Sequence, residues 1–176
     1  LEVDENDNKT IVYIDRSKNV EFRENIQKVK LIGKVFQPEA ILFETNTFAK
    51  SFTQEIRNVT DLNVHDFNTT RKKKEEIILS LQMNFENGKI ILPYANEESR
   101  RVTSTLIEEL SMFAITDKGK FEGIGAHDDM VMSLALANAA THTMSETFIL
   151  LDDMGLFDPP KVNKYKRSQG VMGINF

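Results

Sequence analysis

The chain has 176 residues, 40% of them hydrophobic and 28% charged, with a formal net charge of −5 and no cysteine. That length and balance suit one globular domain and exclude a disordered polymer, and no apolar run approaches the roughly 18 residues that a membrane span needs. Disulfides and thiolate metal sites are excluded, so a bound metal must use oxygen or imidazole donors; with only three histidines, carboxylates holding magnesium or manganese are the expected chemistry.

Leu1-Glu2-Val3 reads as a strand end and Asp4 to Asn8 as a turn, without a signal-peptide pattern. Thr10 to Asp15 (TIVYID) is β-branched and aromatic, so a strand is expected and the opening is a hairpin. Phe22, Ile26, Val29, Ile32 and Phe36 recur at helical steps up to Pro38. Ala40 to Phe43 is wholly apolar, as in a strand buried on both faces. That order of strand, helix and strand suggests a parallel crossover from Thr10–Asp15 to Ala40–Phe43, with a second helix over Phe48 to Asn58 and a further strand over Leu62 to Phe67 behind it.

From Thr70, Ile77, Ile78, Leu81 and Phe85 mark a long helix that stops at Asn87-Gly88. Lys89 to Leu92 reads as a short strand, and Val102, Leu106 and Leu110 as one face of a further helix. Asp117-Lys118-Gly119 suggests a hairpin within Phe113 to Phe121. A helix of small and apolar residues runs from Asp128 to about Thr143, and residues 145–176 read as an extension or tail.

Two places carry possible chemistry. Glu44 follows the buried strand directly, and ligands of α/β sheets bind beyond the carboxyl ends of strands. The plain reading is a carboxylate that interacts with the next helix start. His127-Asp128-Asp129 stands where a loop enters a helix. Asp128 as a helix cap and Asp129 as a first-turn acid explain the pair without function; a metal site explains the pair and the histidine together. The residues alone leave both readings open.

Arg71 to Lys74 and the cluster of Lys161, Lys164, Lys166 and Arg167 are basic despite the negative total. The first run is either a solvated turn paired with Glu75 and Glu76 or a set of phosphate contacts. His65 and His142 read as structural, and Met130, Met132 and Met144 as core filling. No GxxxxGK[ST], GxGxxG or GxSxG occurs, so P-loop, Rossmann and α/β-hydrolase chemistry have no support.

In their order, the strand-helix opening, ILFETNTFAKSF, NTTRKKKEEIILSLQMNFENGKIILP and GAHDDMVMSLALA resemble the C-terminal nuclease domain of the large terminase subunit of tailed bacteriophages, over roughly residues 1–143. The resemblance implies an α/β, ribonuclease-H-like fold with a mixed central sheet flanked by helices. It implies a two-metal-ion endonuclease that hydrolyses double-stranded DNA during genome packaging, with Mg2+ or Mn2+ held by Glu44, Asp128 and Asp129 and with His127 beside them. Asn46, Lys50, Arg71, Lys72, Lys73 and Lys74 are the expected DNA contacts.

The partners it implies are double-stranded DNA, an ATPase domain, portal and small terminase, in the cytoplasm of an infected bacterial host. The family's first catalytic acid lies on a first strand that is expected to be missing, so the domain over residues 1–144 is expected to be N-terminally incomplete. Asp15 matches a later strand and is not assigned that role. Two further readings stand beside this one: a resolvase acting on Holliday junctions, and a catalytically incomplete module that binds DNA or a partner.

Overall fold

Helices and short strands alternate along the computed structural model, which describes residues 1–17, 19–44, 49–115, 121–123, 128–142 and 172–174. Strands β1 (Glu2–Val3) and β2 (Lys9–Thr10) pair antiparallel. They are joined by the acidic turn, where the Asp4 carboxylate accepts the N–H groups of Asn6 and Asn8 at 2.8 Å each. The strand expected over Thr10 to Asp15 barely starts. Its partner β5 (Ile90–Ile91) runs parallel to β2, and the Ile11 N–H reaches the Ile91 carbonyl at 3.0 Å. The next rung needs an N–H from residue 93, which is proline, so the ladder stops.

Helix α1 (Phe22–Phe36) buries Ile26, Val29 and Ile32, as their spacing predicts. It ends at Gln37 in the left-handed conformation, just before Pro38. Strand β3 (Ile41–Glu44) is buried on both faces. Ile41 and Phe43 pack with α1 and with helix α2 (Ala49–Val59), while Leu42 packs in the other core cluster. Strand β4 (Val64–Phe67) returns parallel to β3, so the crossover runs through α2; the one expected from Thr10–Asp15 to β3 is not formed among the described residues, where β2 and β3 lie in different sheets.

Helix α3 (Arg71–Glu86) is capped by the Thr70 hydroxyl, which accepts the Lys73 N–H at 3.3 Å. It ends at Asn87-Gly88, where Gly88 has φ +67°, a conformation that costs glycine little. Helix α4 (Glu97–Met112) opens with a reciprocal Asn96–Ser99 capping box. Strands β6 (Phe113–Ile115) and β7 (Phe121–Gly123) form the expected antiparallel hairpin; its turn, with Asp117 to Gly119, lies outside the described residues.

Helix α5 (Asp129–His142) is buried nearly all round, with Val131, Ala135, Leu136 and Ala140 almost wholly enclosed. A helix apolar on every side belongs at the centre of a domain. Asn138, fully buried, accepts from Asn84 Nδ2 at 2.7 Å and donates to the Ser80 hydroxyl at 3.1 Å, locking α5 to α3. Met130 and Met132 are core residues, as expected, and Met144 lies outside the described residues.

Within the segment expected as an extension or tail, strand β8 (Met172–Ile174) pairs parallel with β3. The fold is mixed α/β. In place of one mixed sheet, the described strands form three small ones, ordered β1-β2-β5, β4-β3-β8 and β6-β7. Among the described residues no helix is long and apolar enough to cross a membrane.

Candidate functional site

The parallel pairing of β3 with β4 sets Glu44 opposite Phe67, so both residues end their strands at one edge of the sheet. Helix α3 starts at that edge, four residues after Phe67. Its first turn stays there, with the Lys73 ammonium 5.6 Å from the centre of the Phe67 ring. Lys74 then reaches across to α5, and its Nζ donates to Asp128 Oδ2 at 2.9 Å. Lys73 and Lys74 thus link the end of β4 to the start of α5. The β6–β7 hairpin borders the same place, since Lys74 Nζ also lies 5.6 Å from the Phe113 ring centre.

The basic run divides by reach. Arg71 pairs with Glu75 at 3.0 Å and Lys72 with Glu76 at 3.8 Å, both one helical turn ahead. These are the solvated pairs that the plain reading expects. Lys50 is exposed in the first turn of α2. His127, Asn46 and the basic cluster 161–167 lie outside the described residues. His65 on β4 is half-buried; burial and the nearby Arg57 hold its imidazole below the usual range, while Asp66 acts weakly in the other direction.

One carboxylate escapes the sequence argument. Glu109 of α4 is 6% exposed, and its Oε2 accepts the Met130 N–H of α5 at 2.9 Å. Its other oxygen, Oε1, lies 3.0 Å from Arg16 Nη1. Oε1 is buried and accepts no directed hydrogen bond, so the contact with Arg16 is Coulombic. The signal for Glu109 was its place three residues after Leu106, on the buried stripe of α4, where an acid is out of character. Nothing in the sequence marks Arg16.

This arrangement separates the two readings of Asp128. The Asp128 carbonyl accepts the Met132 N–H at 2.9 Å, so Asp128 holds the cap position of α5. Its carboxylate is turned to Lys74, whose ammonium donates to Oδ2. Asp129 is exposed in the first turn, where the helix dipole favours an acid.

The donor chemistry suits a hard divalent cation. The structure does not bring Glu44, Asp128 and Asp129 together as a set: among the described residues no three His, Asp or Glu side chains stand close enough to hold a metal ion. Asp128 is already neutralised by Lys74. No family model, curated protein or solved structure matches this chain, so the chemistry of the site rests on its own geometry.

Proposed function

We propose that the chain is a metal-dependent nuclease domain acting on double-stranded DNA, of the ribonuclease-H-like type that the terminase resemblance implies. One observation supports this reading: Asp128 holds the cap position of α5, and its carboxylate is turned to the Lys74 ammonium at 2.9 Å. Magnesium or manganese bound there would supply an activated water and charge stabilisation for the leaving oxygen. By the resemblance Glu44, Asp128 and Asp129 would hold it, and they would have to draw together to do so. Binding requires the Lys74 ammonium to leave Asp128 Oδ2, and a released Lys74 is well placed to meet a DNA phosphate. In this reading the exposed Lys50, Arg71 and Lys72 add phosphate contacts, and the host cytoplasm, ATPase domain and packaging partners follow from the resemblance.

The test is nicking of supercoiled plasmid with Mg2+ or Mn2+. Glu44→Gln, Asp128→Asn and Asp129→Asn are each expected to lower the rate about 100-fold. Nicking that none of the three changes affects would sink the proposal. A preference for four-way junctions over linear duplex would move it to a resolvase.

A second reading is favoured by the Lys74–Asp128 pair and by the lack of a metal-binding group among the described residues. In it the module binds DNA or a packaging partner without cutting. Calorimetric titration with Mn2+ separates the two, since only the nuclease reading requires heat of binding that vanishes in Asp128→Asn.

A further inference from the structure

We propose that Glu109 is a positioning residue: a borrowed cap that serves the start of α5 from another helix and so keeps the Asp128 carboxylate available to a cation. The helix-end chemistry is general. The side chain at the cap position ordinarily accepts the N–H of the second or third helical residue. In α5 the second helical residue is Met130, and its N–H goes to Glu109 Oε2 at 2.9 Å. Asp128, the residue at the cap position, points its Oδ2 at Lys74 instead, at 2.9 Å. Arg16 stands 3.0 Å from the second oxygen of Glu109, in a nearly closed setting.

Removing Glu109 leaves the Met130 N–H buried without an acceptor, which proteins avoid. The nearest substitute is the side chain of Asp128 itself. Asp128 would turn to cap α5 and release Lys74. Whether Asp128 is a cap or a site residue is therefore decided by α4 and by the segment after β2.

The cap exchange is tested without metal. Urea unfolding is measured for wild type, Asp128→Ala, Glu109→Ala and the double variant. Asp128→Ala is expected to raise the unfolding constant at least about fivefold more in the Glu109→Ala background than in wild type, the size of one lost cap. Equal effects in both backgrounds overturn the proposal. Should Glu109→Ala fail to fold, the scalar coupling across the hydrogen bond of the Met130 amide in the wild type decides. Coupling to the Glu109 carboxyl supports the proposal, and coupling to the Asp128 carboxyl overturns it.

The second arm rests on the nuclease reading. Mn2+ affinity is expected to fall about tenfold in Glu109→Ala and to stay within about threefold in Glu109→Gln, which keeps an oxygen acceptor for the amide. Equal loss in both variants overturns the positioning role. A wild type that binds no Mn2+ removes the nuclease reading and leaves the cap exchange to the unfolding data.

Discussion

The two halves of the run Arg71 to Lys74 share a composition and differ in every consequence. Arg71 and Lys72 pair with Glu75 and Glu76 along their own helix, with side chains 63% and 71% exposed. Lys74 is 24% exposed, and its partner Asp128, 30% exposed, stands 54 residues further along the chain. Pairs one turn apart on an exposed helix add a few tenths of a kcal/mol and are screened by salt. A pair between two helices, closed on one side by Phe113, fixes how those helices meet. Residue type alone does not separate a surface charge from a site charge; the length of chain closed by the contact does.

The largest effect expected from this contrast lies further along α3. Asn84 donates to the buried Asn138, while Gln82 makes an exposed pair with Glu86 one turn ahead. Asn84→Ala is expected to cost about 2 kcal/mol, because a fully buried amide loses its partner. Gln82→Ala should stay within about 0.5 kcal/mol. Urea unfolding of the two variants gives the comparison, and equal losses would break it.

The next effect concerns the lysines. Lys74→Met is expected to cost about 1 kcal/mol, since Asp128 keeps a partly buried charge without its cation. Lys72→Met should fall below about 0.5 kcal/mol and vanish in high salt. In the nuclease reading Lys74→Met also tightens Mn2+ binding, because no ammonium has to be displaced. Calorimetry of the two variants reads this directly.

The smallest effect is a pH dependence from His65. Its folded pKa lies below the ordinary 6.5, through burial first and Arg57 second. The unfolded chain therefore binds more protons in the window below 6.5, so stability falls as pH drops from there toward the lowered folded value and then levels. Well above 6.5 the contribution is constant. His65→Gln should flatten that part of the profile, and an unchanged slope would show that other groups set it.

How far these features could be read in advance follows the same division. β3 was legible because burial on both faces leaves an unbroken apolar run. α1 and α3 were legible from a helical stripe with a stop signal behind it. The strand expected at Thr10 to Asp15 was overdrawn, because its length depends on Pro93 in a partner some 80 residues away. Glu44 and the two aspartates stood out as candidates by their places at a strand end and a helix start, but local chemistry left cap and ligand undecided. The Lys74–Asp128 and Arg16–Glu109 pairs could not, since each joins distant segments whose approach is set by packing.

The central claim is that Glu44 and the start of α5 hold a divalent cation. The most direct test is Mn2+ added below one equivalent to the 15N-labelled chain, since the ion broadens nearby amide signals. The account expects Glu44, Asp129 and Met130 to lose intensity first, to recover with EDTA, and to be spared in Asp128→Asn. Broadening spread evenly over the chain, or centred on another carboxylate, would contradict it.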